Sequence, residues 1–157
     1  MGKKPRKTSV RFNPTKPMMT VLRSHSKVKR VVYILQADKA QQYKKGYSRI
    51  IYIGQSGKKG FGRPATSAYR KADQAFGARK AKDKLHGVTK IDVHLLTFRG
   101  KRSVRLWEEL EKYLLAAFVV KYDSLPRFNH KGRGSNLKES KYFSPSRLKA
   151  VVDRLAY

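Results

Sequence analysis

The sequence has no cysteine and few acidic residues. Without cysteine, disulfides, thiolate zinc sites and a cysteine nucleophile are excluded. The chain of 157 residues carries 10 Asp and Glu against 38 Lys and Arg, a formal net charge of +28. Long apolar runs are also absent, because the longest, Tyr113 to Val120, is too short to cross a bilayer. A secretory signal would require an apolar segment after the basic N-terminus, and the sequence has none there, so we expect no such signal.

The chain nevertheless has the composition of a folded domain. Hydrophobic residues make up 39% of it and aromatic residues 11%, which is enough for the core of one domain. The excess of positive charge repels itself in a compact state unless a polyanion neutralises it. It therefore predicts a nucleic-acid partner. No Lys-rich amphipathic helix with a bulky apolar face is evident, so we expect no membrane partner and a cytoplasmic, nucleoid-associated location.

The composition changes along the chain and divides it into three parts. Residues 1–30 hold ten Lys or Arg and no acid, and three prolines interrupt any periodicity. This pattern indicates a basic, flexible N-terminal arm over residues 1–29, which either grips DNA or only adds charge. A folded domain is predicted over residues 30–134, and a C-terminal helical extension packed on it over residues 135–157.

The hydrophobic pattern predicts an α+β fold. Three runs rich in β-branched and aromatic residues indicate strands over residues 31–35, 48–53 and 90–98, with a long polar hairpin loop over residues 36–47. Helices are predicted from Pro64 to about Phe76, from Ser103 to about Tyr122, and after a capping Ser144. The expected architecture is a small three-stranded, mainly antiparallel sheet flanked by helices.

The helix that begins at Ser103 carries a carboxylate on its apolar stripe. At 100° per residue, Glu111 falls between Trp107 and Leu114, whereas Glu108 and Glu109 turn towards the polar side. A carboxylate that faces a core is costly without a cation. Glu111 is therefore expected to pair either with a Lys or Arg or with a metal ion, and periodicity alone favours the ion pair.

Several short motifs occur in a fixed order along the chain. Tyr33 ends Val-Val-Tyr in the first strand, and Tyr52-Ile53-Gly54 ends the second; each tyrosine taken alone would be a packing residue. Arg63 follows nine residues after Gly54, with Arg70 as the alternative position. Glu111 begins Glu-Lys-Tyr-Leu-Leu, and Asn129 ends Pro-Arg-Phe-Asn. In this order the residues resemble the GIY-YIG nuclease superfamily, with Val31 and Val32 in place of its first Gly and Ile.

The resemblance implies a metal-dependent DNA endonuclease of restriction or mobile-element type, with residues 30–134 as its catalytic domain. It implies Mg²⁺ (or Mn²⁺) held by Glu111, a scissile phosphate gripped by Arg63, and Tyr33 as general base. Tyr52 would hydrogen-bond the phosphate or the attacking water, and Asn129 would orient Glu111 or the backbone. Double-stranded DNA is the expected substrate, cut by a homodimer or by sequential nicking.

Further polar residues near these motifs are candidate nucleic-acid contacts, although a solvated loop explains them equally well. These residues are Gln55, Ser56, Lys58, Lys59, Arg70, Lys131 and Arg133. The competing class is a non-enzymatic ribosomal or chromosomal protein that uses its charge to coat phosphates. That alternative gives no reason for Glu111 to lie on an apolar stripe. A nuclease fold with an inactive site is the third alternative.

Overall fold

A computed structural model of the protein describes residues 6–11, 31–56, 88, 90–96, 106–130 and 134–157. Its centre is an antiparallel sheet with the strand order β1–β4–β2–β3. The strands are β1 (Arg6–Arg11), β2 (Val31–Tyr43), β3 (Gly46–Ser56) and β4 (Lys90–Leu96). The predicted α+β class is confirmed, with β2, β3 and β4 as the three expected strands. β1 comes from within the predicted arm and pairs with β4 as a fourth strand.

The hairpin between β2 and β3 has a much shorter loop than the sequence predicted. β2 continues to Tyr43 and β3 starts at Gly46, so only the turn at Lys44 and Lys45 separates them. Gly46 has a φ of 96°, a conformation that favours glycine. The prediction of a loop over residues 36–47 is wrong, because residues 41–43 pair with residues 46–48 and polar residues remain in strands when their backbone groups are paired.

A β-bulge in β3 decides which side chains face the helices. Leu35 pairs with Tyr52 and the next residue, Gln36, pairs with Ile50, so Ile51 has no opposite residue. Ile50 and Ile53 consequently both join the main core, although they are three residues apart. Tyr52, between them, lies on the opposite face of the sheet.

Among the described residues, two helices cover the face of the sheet that holds the main core. Helix α1 spans Leu106–Tyr122, and helix α2 spans Pro145–Ala156; a short 3-10 turn, Leu137–Glu139, precedes α2. The predicted cap of α2 is confirmed, since the Ser144 side chain accepts a hydrogen bond from the Arg147 N–H. Both helices pack on each other and on β2 and β3. Ser103 and the helix predicted over residues 64–76 lie outside the described residues.

Hydrogen bonds between buried polar groups connect the end of α2 to the sheet. The Gln36 Nε2 group donates to the Leu155 carbonyl at 2.8 Å, and Gln36 Oε1 lies 2.8 Å from His94 Nε2. Asp92 stands opposite Gln36 in the β2–β4 register and is also buried. The last carbonyls of a helix have no partner within the helix, so Gln36 supplies one here. Among the described helices, none is long and apolar enough to span a membrane.

Candidate functional site

The two motif tyrosines meet on one face of the sheet. Tyr33 in β2 is paired with Gly54 in β3, and Tyr52 lies two residues before Gly54 on the same face. The ring centroids of Tyr33 and Tyr52 are 5.8 Å apart, and their hydroxyl groups are hydrogen-bonded. Tyr33 is almost fully buried, with 2% exposure, whereas Tyr52 is half-buried. The register of the hairpin therefore places the phenol groups of Tyr33 and Tyr52 in contact.

Gly54 gives the two tyrosine rings the space that they occupy. A Cβ atom at this position would lie 2.6 Å from Tyr52 Cε1 and 2.7 Å from both Cζ and Oη of Tyr33. Any other residue would displace at least one ring, and Tyr33 is too buried to move freely. This role of Gly54 was not predicted, although a glycine inside a strand often marks such a close approach.

Asn129 binds the outer edge of β3 between the two motif positions. Its Oδ1 accepts from the Ile53 N–H at 3.0 Å, and its Nδ2 donates to the Ile53 carbonyl at 2.8 Å. The neighbouring Phe128 N–H donates to the Ile51 carbonyl at 3.0 Å. The Asn129 carboxamide therefore replaces a neighbouring strand and fixes Ile53. Of the two roles that the resemblance implied, the structure places Asn129 against the backbone.

Glu111 occupies an environment that is unfavourable for a negative charge. Its side chain is half-buried in α1, and burial, assisted by the negative charge of Glu108, raises its pKa from 4.5 to about 7. Within the described part of the chain, no Lys or Arg forms an ion pair with it. The cation expected from the sequence is therefore not a described Lys or Arg. A bound cation would stabilise the ionised carboxylate.

The negative charge of Glu111 in α1 affects the pKa of Tyr52 in β3. Burial raises the Tyr52 pKa, the hydrogen bond from Tyr33 lowers it in part, and the negative charge of Glu111 raises it further. Tyr52 therefore stays protonated at neutral pH and can donate a hydrogen bond. A hydrogen-bonded phenol pair that is influenced by the charge of a carboxylate is suited to acid–base chemistry on a polar substrate.

A metal at this site would have one carboxylate ligand among the described residues. These residues contain no group of three or more His, Asp or Glu that could hold an ion. Mg²⁺ retains several waters and accepts one or two carboxylates, so a single glutamate fits Mg²⁺ better than it fits zinc. The donor chemistry and the raised Glu111 pKa are both compatible with the ion that the resemblance implied.

The remaining predicted residues are only partly described. Gln55, which is half-buried, and Ser56 form the end of β3, directly after Gly54. The other predicted contacts lie outside the described residues: Arg63, Lys58, Lys59, Arg70, Lys131 and Arg133. The structure thus brings together Tyr33, Tyr52 and Asn129, with Glu111 close enough to influence Tyr52.

Comparison with known proteins finds no relative of this chain. The chain matches no family model, no curated protein and no solved structure. The chemistry of its own residues is therefore the basis for assigning a function to the chain.

Proposed function

We propose that this protein is a metal-dependent endonuclease of the GIY-YIG type that hydrolyses phosphodiester bonds in double-stranded DNA. The observation that supports this most is the convergence of motif residues from separate segments. Tyr33 and Tyr52 are hydrogen-bonded, Asn129 holds the backbone beside them, and the charge of Glu111 acts on Tyr52. A half-buried carboxylate with a raised pKa would not contribute to phosphate binding in a protein that only coats nucleic acid.

The two tyrosines would take the roles that the resemblance implied. Tyr33, as general base, would act as the phenolate after losing its own proton to solvent, and would then take the proton from the attacking water. In that state the Tyr52 hydroxyl group would donate the hydrogen bond that joins the two residues and orients the Tyr33 oxygen. Tyr52 would donate its hydroxyl proton to a phosphate oxygen or to the water. Gly54 keeps both rings in contact, and Asn129 fixes the strand that carries Tyr52.

Charge relief on the phosphate would come from two sources. Glu111 would hold Mg²⁺ or Mn²⁺, which when bound supplies positive charge against the phosphate and the leaving oxygen. Arg63 would contact the same phosphate with its planar guanidinium group, which matches phosphate oxygens in pairs. The net charge of +28 supplies the general attraction to DNA.

The proposed biological context is restriction or a mobile element, within the cytoplasm where DNA is accessible. Cutting both strands requires two sites, either in a homodimer or through sequential nicking by one site. The two routes give different products from a supercoiled plasmid. A transient nicked circle indicates sequential nicking, whereas direct conversion to linear DNA indicates paired sites.

The proposal is tested by incubating supercoiled plasmid with the protein in Mg²⁺ or in EDTA. We expect cleavage in Mg²⁺ only. Tyr33→Phe keeps the ring and removes the hydroxyl group, so it should reduce the rate by about 10²–10⁴-fold, the range for a positioned acid–base group. Tyr142→Phe, at an exposed position outside the site, is the matched control.

DNA binding by the wild type without cleavage in either buffer would overturn the proposal and favour the non-enzymatic binder. Full activity of Tyr33→Phe would leave an endonuclease with a different general base. A rate loss in Tyr142→Phe equal to that in Tyr33→Phe would show that the effect is unspecific.

A further inference from the structure

A groove opens between the tip of the β2–β3 hairpin and the segment that follows α1. Its volume is about 700 Å³. Gln42 and Lys44 form part of the hairpin side, and Leu125, Arg127 and Asn129 form part of the opposite side. None of these residues except Asn129 belongs to the proposed catalytic site.

Hydrogen bonds hold the two sides of the groove together. The Tyr43 hydroxyl donates to the Ile50 carbonyl at 2.7 Å and accepts from the Arg127 N–H at 3.0 Å. The Lys45 N–H donates to the carbonyl of Tyr122, the last residue of α1, at 3.1 Å. These contacts connect the hairpin turn to the loop, so the groove is present before any ligand binds.

The groove is electropositive. Among the described residues that line it, Lys44 and Arg127 are cationic and none is acidic. The Arg127 guanidinium group lies 3.5 Å from the Gln42 carbonyl oxygen across the groove, so its charge lies between the two sides. Lys45 adds an exposed cation at the turn. This charge is complementary to a phosphate backbone.

The groove and the proposed catalytic site share one residue, Asn129. The Asn129 carboxamide binds the backbone of Ile53, which lies between Tyr52 and Gly54. A strand whose phosphate reaches Tyr52 can therefore continue past Asn129 towards Arg127 and Lys44.

We propose that this groove binds the phosphate backbone of the DNA on one side of the cleaved bond, with Lys44 and Arg127 as phosphate contacts. The proposal rests on the proposed endonuclease function and adds to it a place for the flanking strand. The contacts are independent of sequence, so the groove sets the register of the DNA and does not read bases.

The test measures binding of the full-length protein to a duplex in EDTA at several salt concentrations. The double variant Lys44→Ala/Arg127→Ala should make the log–log salt slope shallower by about 2, at roughly 0.9 per phosphate contact. The Arg127 N–H remains in this variant, so its bond to Tyr43 is kept. The control Lys138→Ala/Lys149→Ala removes the same charge from exposed positions outside the groove and should leave the slope unchanged.

A second arm locates the contact. Methylphosphonate linkages on one side of the cleaved bond remove the phosphate charges there. The wild type should bind such a duplex more weakly than it binds the unmodified duplex, whereas the groove variant should bind both duplexes with the same affinity. If Arg127→Ala disturbs folding, Lys44→Ala alone, in an exposed turn, should make the slope shallower by about 1.

An unchanged slope in the groove variant, or an equal change in the control, would overturn the groove proposal. That result does not contradict the proposed endonuclease function if the protein still cleaves plasmid in Mg²⁺. Failure of the wild type to cleave plasmid, measured separately, overturns the proposed function and with it the position of the groove beside a cleaved bond.

Discussion

Replacing Glu111 with glutamine should stabilise the metal-free protein at alkaline pH while abolishing the proposed cleavage activity. The reason is that burial and Glu108 raise the Glu111 pKa from 4.5 to about 7. The folded state therefore holds the proton more tightly than the unfolded chain. The stability from this protonated group is fully present below pH 4.5 and is lost as the pH rises through about 7.

The size of the effect follows from the same pKa. The interval between the two pKa values corresponds to at most ~3 kcal/mol, at about 1.36 kcal/mol per pH unit. Glu111 is only half-buried, so water screens the charge, and we expect about 1–2 kcal/mol. Glu111→Gln is neutral at every pH and avoids this cost. Its melting temperature at pH 8 in EDTA should exceed that of the wild type by roughly 2–8 °C, and the difference should vanish near pH 4.

Thermal unfolding from pH 4 to pH 9 measures the change in stability in EDTA and the binding of the ion in Mg²⁺, and plasmid cleavage in Mg²⁺ measures the loss of activity. Added Mg²⁺ should raise the melting temperature of the wild type at pH 8 but not that of Glu111→Gln, because a ligand stabilises only the state that binds it. Glu109→Gln makes the same charge change one half-turn earlier in α1 and serves as the control.

Two outcomes would contradict this reasoning. If Glu111→Gln is less stable than the wild type at pH 8 in EDTA, the carboxylate has a structural cation, as the ion-pair interpretation of the sequence proposed. If Mg²⁺ stabilises both proteins equally, Glu111 does not hold the ion. In either case the metal assignment fails even if the protein cleaves DNA.

Two further predictions concern the positions that hold the tyrosines. Gly54→Ala should reduce the cleavage rate with little loss of DNA affinity, because the new Cβ displaces the Tyr33 or Tyr52 ring; wild-type rates would show that the rings adjust at no cost. Asn129→Ala should lower the free energy of unfolding by about 1–3 kcal/mol, since it leaves the N–H and carbonyl of Ile53 without their partner. Urea denaturation measures this loss, and an unchanged midpoint would show that water replaces the carboxamide.

The local pattern of the sequence was sufficient for most of the secondary structure. The β-branched runs predicted β2, β3 and β4, and the capping Ser144 predicted the start of α2. These features depend on residues that are close together in the chain, which is why they can be recognised without the fold. The apolar stripe also indicated that Glu111 would be partly buried, as it is. The length of the β2–β3 hairpin was missed, because backbone pairing outweighed the polarity of its residues.

The arrangement of the site required the tertiary structure. The residue types and their order are properties of the sequence, but the pairing of Tyr33 with Gly54 depends on the strand register and on the bulge at Ile51. The contact of Asn129 with Ile53 joins residues far apart in the chain. The raised Glu111 pKa results from burial, which no local pattern measures. The sequence by itself therefore determined which groups are available for chemistry, whereas long-range packing decided their partners and the electrostatic environment of Glu111.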